Sequence, residues 1–133
     1  MRKMHDQANE LRQRFRGNAT RSFREPRIIA LSGGSTSVGT TTIAVNVGVA
    51  LAQQGRRVVL IDADPSGAGA TEMCQLDASH GSIQSVLDEG RSIHEVLERG
   101  PAGVLLLPGA PEAFTAEATG AQRLIEQCRG LGL

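Results

Sequence analysis

A glycine-rich loop lies between an apolar run and a helical pattern, and this arrangement most constrains how the chain folds. The apolar run is Arg27–Leu31, the loop of small residues is Ser32–Gly39, and the helical pattern is Thr41–Gln54. A buried strand, a tight loop and a helix in this order direct successive backbone N–H groups of the loop and of the helix N-terminus towards one point. The sequence therefore predicts a phosphate-binding loop at the end of a buried strand.

Apolar runs and helical patterns continue to alternate after the loop. The expected elements are a strand, two short helices, a strand and a last helix: Arg57–Asp62, Ile83–Asp88, Ile93–Glu98, Val104–Leu107 and Gly120–Arg129. The residues expected to form the buried side of the first helix are Ile43, Val47, Ala50 and Leu51. Continuous apolar strands between helices are typical of a parallel sheet. We therefore predict an α/β fold, a parallel sheet with helices on both faces in three layers.

The charges divide the chain into two parts. Residues 1–27 contain eight basic and three acidic residues, a net charge of +5, whereas residues 28–133 contain six and eleven, a net charge of −5. Residues 6–16 have the pattern of a short amphipathic helix, and a polar linker follows it. We therefore divide the chain into a basic arm, residues 1–26, and a compact domain, residues 27–133.

Composition disfavours several classes of function. Aromatic residues make up 2% of the chain, with no Trp or Tyr, so single-stranded nucleic-acid binding by base stacking is poorly supported. No apolar run approaches the roughly 20 residues that span a bilayer, and the N-terminus lacks the apolar core of a signal peptide. Cys74 and Cys128 have no metal-ligand neighbours in sequence. We therefore expect a cytoplasmic protein with reduced thiols and without membrane or nucleic-acid association.

The full phosphate-binding motif is G-x-x-x-x-G-K-[ST], and the loop matches it at Gly34, Gly39 and Thr41. It departs from the motif at one position, where Thr40 stands in place of the lysine. The candidate nucleotide-binding residues are Gly34, Ser35, Thr36, Ser37, Val38, Gly39, Thr40, Thr41 and Thr42. Other interpretations stay open at this point. Thr40–Thr42 also fit an N-capped helix start, and the glycines also fit ordinary turns. Asp62 and Asp64, at the end of the second strand, also fit caps of the following loop.

Residues 27–109 resemble the MinD/ParA family of deviant-Walker ATPases. Ser35–Thr42 stands in the register of that family's loop, K-G-G-V-G-K-T-T. Val58–Asp64 is similar to the family's L-I-D-x-D segment, and Gly100–Gly109 to its G-P-x-G-V-x-L-L-P-G stretch. The resemblance implies ATP and Mg²⁺ as cofactors and a P-loop NTPase-like fold.

The resemblance also assigns roles to single residues. Thr41 matches the hydroxyl that coordinates Mg²⁺ in the family, and Asp64 matches its switch aspartate, which positions the attacking water. Ser35 and Thr40 match the family's two nucleotide-contacting lysines, and Lys3 is the only lysine in the chain. Such lysines are cations against the triphosphate and neutralise charge during phosphoryl transfer. Their loss implies a pseudo-ATPase that binds ATP weakly or not at all.

The N-terminal segment D-Q-A-N-E-L-R resembles a motif of one branch of the family, the flagellar-number regulators. The matching residues are Asp6, Gln7, Leu11 and Arg12. In that branch the segment is implied to bind and stimulate a signal-recognition-type GTPase, which becomes the expected partner, beside a nucleotide-dependent homodimer. A solvated basic tail also explains the segment, and so does a basic arm attracted to anionic lipid or nucleic acid. The alternative functions are an active Mg²⁺-dependent ATPase in which Arg replaces the lysines, a DNA-partitioning relative that binds through its arm, and a non-functional gene remnant.

The family's own sequence pattern continues beyond the end of this chain. It has a Walker-B strand with an aspartate, expected immediately after Leu133, and a membrane-binding C-terminal helix, and neither is present in the sequence. We therefore expect the sequence to be truncated before the Walker-B strand. A sheet without that strand has an apolar edge beside the phosphate loop.

Overall fold

The computed structural model describes residues 26–35, 38–64, 69–110 and 118–131. The elements in chain order are α1 (Thr40–Gln53), β1 (Val59–Ile61), α2 (Ala70–Met73), α3 (Ile83–Leu87), α4 (Ile93–Val96), β2 (Glu98–Arg99), β3 (Leu105–Leu107) and α5 (Ala118–Gly130). A 3₁₀ turn at Pro101–Gly103 joins β2 to β3. The predicted helix at residues 6–16 lies outside the described residues.

Strand β3 is the centre of the described sheet, whose strand order is β1-β3-β2. β1 pairs with β3 in parallel, with Leu60 opposite Leu106. β2 pairs with β3 in the antiparallel direction, with Glu98 also opposite Leu106. The prediction of a wholly parallel sheet was therefore wrong at this edge, where a helix was expected to extend to Glu98. Antiparallel pairing follows from the short turn between β2 and β3, because parallel neighbours need a long crossover connection.

Helices cover both faces of the sheet. Leu106 and Leu107 are both fully buried, and they point to opposite faces because side chains alternate along a strand. The cluster around Leu107, here the large core, also contains Ile83, Val86, Ile93, Val96, Ala110, Leu124 and Cys128. Leu106 packs with Val45 of α1 and Ala70 of α2, and these three buried residues form the small core. The predicted three-layer α/β fold is confirmed.

The first predicted strand, Arg27–Leu31, is absent from the structure. Residues 26–33 have no regular secondary structure, and Ile28, Ile29 and Leu31 are 58%, 66% and 45% exposed. Within the described residues, no strand pairs with this segment. The prediction was wrong because apolar and β-branched residues supply strand propensity, whereas a strand forms only where a neighbour supplies hydrogen-bond partners.

Helix α1 buries a different face from the predicted one. Its buried residues are Val45 and Gly48. The four residues expected to be buried are instead exposed or only partly buried: Ile43, Val47, Ala50 and Leu51. An added Cβ at Gly48 would lie 3.7 Å from a methyl carbon of Val58 and 3.9 Å from one of Val104. The face was mispredicted because α1 is apolar on more than one side, and a glycine that packs against the sheet adds nothing to a hydrophobic pattern.

Candidate nucleotide-binding site

The glycine-rich loop, the N-terminus of α1 and the end of β1 line one cavity of about 1140 Å³. The predicted loop residues that line it are Gly34, Ser35, Val38, Gly39, Thr40, Thr41 and Thr42. Thr36 and Ser37 lie outside the described residues. The facing wall includes Asp62 and Asp64, which follow β1, and Glu72 and Met73 of α2. The structure therefore brings the described part of the predicted loop and both strand-end aspartates to the same cavity.

The N-terminus of α1 is open to this cavity. Gly39 is its N-cap residue and has a left-handed backbone, with φ of 85°, a conformation that glycine adopts without steric cost. In the described part of the loop no side chain caps the helix, and the N-cap residue is Gly39 rather than a threonine. This does not support the interpretation of the threonines as an N-capped helix start. The N–H of Ile43 donates to the carbonyl of Gly39 at 3.0 Å. The preceding N–H groups of Thr40–Thr42 have no acceptor within the helix, and they lie at the positive end of its dipole.

Gly33 is a loop residue that the sequence analysis did not select. An added Cβ there would lie 2.5 Å from the Thr40 hydroxyl oxygen and 2.5 Å from a methyl carbon of Val38. Only glycine therefore leaves room for both side chains at this point. The Gly33–Gly34 pair at the start of the loop is the signal that could have identified it.

Asp62 is the centre of a hydrogen-bond network at the carboxyl end of β1, and its side chain is only 4% exposed. Its Oδ2 accepts from the Thr71 N–H at 2.8 Å and from the Thr71 hydroxyl at 2.7 Å. Its Oδ1 accepts from the Asp64 N–H at 3.3 Å. The Thr71 hydroxyl oxygen in turn accepts from the Gly109 N–H at 3.1 Å. Asp62 therefore caps the following segment, which was one of the interpretations that the sequence left open.

Residues 29–133 match the family described as the CobQ/CobB/MinD/ParA nucleotide binding domain. The chain belongs to this family. It is 36% identical over 89 residues to the antiactivator FleN of Pseudomonas aeruginosa, an alignment that covers 67% of this chain and 31% of FleN. It is 37% identical over 93 residues to the chromosome partitioning protein ParA of Myxococcus xanthus, covering 68% of this chain and 33% of ParA. The aligned part of this chain thus spans about a third of the length of these curated relatives.

A solved structure of the same kind is cobyrinic acid a,c-diamide synthase from Mycobacterium smegmatis, with a bound ATP analog and magnesium. It is 28% identical to this member of the nucleotide-binding family and superimposes with a TM-score of 0.68, covering 79% of this chain and 46% of that one. The predicted MinD/ParA resemblance and the P-loop NTPase-like fold class are confirmed. Among the described residues, no helix combines the length and the apolar character needed to cross a membrane.

The described wall of the cavity in this family member is acidic and contains no basic side chain. Its ionisable lining residues, in the described part of the chain, are Asp62, Asp64 and Glu72, without any Lys, Arg or His. A phosphate group in this cavity has backbone N–H and hydroxyl groups as donors, but no side-chain cation among the described residues. The charge-assisted contacts that hold phosphate most strongly are therefore missing from the described wall.

The cavity contains oxygen donors of the kind that bind Mg²⁺. Thr41 and Asp64 both line the cavity. Mg²⁺ prefers oxygen ligands such as the Thr41 hydroxyl and completes its shell with water and substrate phosphates. The described residues contain no group of three or more His, Cys, Asp or Glu side chains that could hold a metal ion by itself. The residues present thus fit Mg²⁺ together with phosphate rather than Mg²⁺ alone.

Proposed function

We propose that the chain is a cytoplasmic regulatory protein of the MinD/ParA type that binds Mg-ATP weakly and does not hydrolyse it efficiently. The observation that carries this proposal is an uncapped helix N-terminus opening into a cavity whose described lining contains no basic side chain. Backbone N–H groups and the helix dipole still attract phosphate. The missing cations remove both strong phosphate contacts and the charge neutralisation that phosphoryl transfer needs.

Each part of the site has a role in this proposal. The loop residues Gly34–Thr42 hold the phosphates, mainly through backbone N–H groups. The Thr41 hydroxyl coordinates Mg²⁺, and Asp64 orients a water molecule beside the phosphates. When bound, Mg²⁺ supplies positive charge at a site that lacks the two family lysines. The bound ATP analog and magnesium of the M. smegmatis synthase support this pair of ligands.

Restoring the missing lysine tests the proposed nucleotide site. Thr40→Lys places a cation in the loop, and Gln53→Lys adds the same charge at the exposed far end of α1. In isothermal titration calorimetry with Mg-ATP, we expect weak binding by the wild type and about tenfold or more tighter binding by Thr40→Lys, because a hydrogen bond to a charged group contributes about 1.5–3 kcal/mol. Gln53→Lys should stay within about twofold of the wild type, since a distant exposed charge is screened. Absence of wild-type binding, or equal tightening by both variants, contradicts the proposal.

An active Mg²⁺-dependent ATPase is an alternative, favoured by the presence of Asp64 and Thr41 in one cavity. We expect no ATP turnover above background from the full chain. Phosphate release should be compared between the wild type and Asp64→Ala. Turnover that requires Mg²⁺ and is lost in Asp64→Ala would establish the active enzyme instead.

We further propose that the arm, residues 1–26, binds and stimulates a signal-recognition-type GTPase, while residues 27–133 carry the nucleotide site. The resemblance to flagellar-number regulators rests on Asp6, Gln7, Leu11 and Arg12. The similarity to FleN, which is named an antiactivator, supports a regulatory role. We expect Leu11→Ala to abolish stimulation of GTP turnover and Gln13→Ala to preserve it. Equal stimulation by both variants would point to a solvated tail.

A DNA-partitioning role is the second candidate, favoured by the similarity to ParA of M. xanthus and by the basic arm. It predicts DNA binding that weakens steeply with salt, because phosphate contacts release counterions. Removal of residues 1–26 should then abolish the binding. We expect no such binding from the full chain in a fluorescence-anisotropy titration.

The nucleotide-dependent homodimer is a separate proposal. Sedimentation of the full chain with and without Mg-ATP tests it.

A further inference from the structure

Asp62 joins three pieces of backbone that are distant in sequence. Its N–H donates to the Leu107 carbonyl at 3.0 Å, which fixes the residue to the end of β3. Its carboxylate accepts from Thr71 in α2 and from the Asp64 N–H. Thr71 also receives the N–H of Gly109, which follows β3. We call Asp62, Asp64, Thr71 and Gly109 the Asp62 network.

Two glycines close around the Asp62 carboxylate. An added Cβ at Gly69 would lie 2.8 Å from Oδ1 of Asp62. An added Cβ at Gly109 would lie 3.0 Å from the carboxylate carbon and 3.0 Å from the carbonyl oxygen of Asp62. Gly69 has φ of −74°, so the lack of space, rather than a left-handed backbone, explains glycine there. The carboxylate is thus confined by sterics as well as held by hydrogen bonds.

We propose that Asp62 is a positioning residue that fixes Asp64 at the wall of the nucleotide cavity; this inference rests on the function proposed above. Asp64 lies two residues after Asp62, and the Asp62 carboxylate accepts the Asp64 N–H through one oxygen and the N–H and hydroxyl of Thr71, in α2, through the other. The Gly109 N–H ties the same hydroxyl to the end of β3. Asp62 therefore sets the place of Asp64 relative to the sheet without itself acting on the ligand.

The network also connects the cavity to the far side of the sheet. Gly109 follows Pro108, whose carbonyl accepts from the Ile83 N–H at 2.7 Å. Ile83 begins α3 and is fully buried in the large core. Hydrogen bonds thereby connect Asp62 to the large core through Gly109 and Ile83. A fixed connection of this kind suits a residue that positions a ligand-facing group.

Two substitutions at Thr71 test this role in the nucleotide-free full chain. Thr71→Val removes the hydroxyl at nearly constant volume, whereas Thr71→Ser keeps it. Amide hydrogen exchange should become roughly threefold to tenfold faster at Asp64, Thr71 and Gly109 in Thr71→Val, the factor expected for the loss of a hydrogen bond. Thr71→Ser should exchange like the wild type, and the amides of α1 and α5 should be unchanged in both variants. Unchanged exchange at Gly109 and Asp64, or uniform acceleration along the chain, would overturn the proposal.

A calorimetric titration with Mg-ATP separates this inference from the proposed function. We expect Thr71→Val to weaken Mg-ATP binding and Thr71→Ser to restore it. Faster exchange with unchanged affinity would overturn a positioning role in the nucleotide site. If the wild type itself does not bind Mg-ATP, the proposed function fails, and the exchange data alone then decide whether Asp62 holds the Asp64 segment.

Discussion

The two sides of the sheet differ in how completely the described residues cover them. Among those residues, eight buried ones form the large core on the side of α3, α4 and α5, whereas three form the small core on the side of α1 and α2. The exposed large apolar residues of the described chain all lie in α1, in α2 or in the segment that leads into α1: Ile28, Ile29, Leu31, Val38, Ile43, Val47 and Met73. The cavity thus lies beside the thinly packed side, where hydrogen bonds and glycine geometry carry more of the positioning than apolar burial.

The N-termini of α3 and α1 show the same contrast. α3 begins with a capping box, in which Ser82 Oγ accepts from the Gln84 N–H at 3.3 Å and Ser85 Oγ accepts from the Ser82 N–H at 3.4 Å. α1 begins at Gly39 without a side-chain cap. Side chains that satisfy a helix N-terminus occupy the N–H groups that an anion would bind. Side chains thus cap the N-terminus of α3, whereas no described side chain caps that of α1.

Alanine substitution of two neighbouring leucines measures the packing contrast directly. Leu106 and Leu107 are both fully buried, but they face the small and the large core respectively. We expect Leu107→Ala to lower the free energy of unfolding by about 4–5 kcal/mol and Leu106→Ala by about 2–3 kcal/mol, because the thinner side can collapse around the smaller side chain. Urea denaturation provides the measurement. Equal losses, or the reverse order, would show that the two sides are packed equally well.

Two glycines of the loop test the geometry of the open helix end. Gly39→Ala should lower the free energy of unfolding by about 1–2 kcal/mol, because a Cβ is strained in the left-handed conformation. Gly34 is the matched control: an added Cβ meets nothing within 4 Å, and its φ is not left-handed. Gly34→Ala should change stability by about 0.5 kcal/mol or less. Wild-type stability of Gly39→Ala in thermal or urea unfolding would contradict the described turn.

Elements that a local pattern specifies were predicted better than pairings between distant segments. The expected helices at Thr41–Gln54 and Ile83–Asp88 match α1 and α3 within one residue at each end, one on each side of the sheet, and the strand at Val104–Leu107 matches β3 equally well. The helix expected at Ile93–Glu98 ends at Val96, because Glu98 pairs with β3 as part of β2. Arg27–Leu31 failed because pairing depends on a neighbouring strand, which no local pattern contains.

The candidate site divides in the same way. The loop and Asp64 were found from the sequence because consecutive residues form them. Thr71 and Gly109 were missed, since Thr71 lies 9 residues from Asp62 and Gly109 lies 38 residues from Thr71. Hydrogen bonds across such separations arise only when the ends of β1 and β3 come together in the sheet.

The smallest expected difference between the two sides of the sheet concerns the reactivity of their cysteine thiols. Cys128 is buried in the large core, and this burial raises the pKa of its thiol above the ordinary 9.0. Cys74 packs beside the small core and is only partly buried. Its pKa is also raised, first by burial and then by the negative charge of Asp62. We therefore expect both thiols to be weaker nucleophiles in the folded chain than in the unfolded chain, since the thiolate is the reactive form.

Alkylation with iodoacetamide at pH 8 should distinguish them. We expect Cys74 to react faster than Cys128 in the folded chain, and both to react more slowly than in urea. The raised pKa of Cys128 has a consequence for stability: above pH 9.0 the unfolded thiol loses its proton while the folded thiol keeps it. Stability is thus retained below that pH and falls as the pH rises through the folded pKa. Cys128→Ala should make this decline of stability with pH less steep. In the alkylation experiment, equal rates for the two thiols would mean that the large core opens as readily as the cavity side.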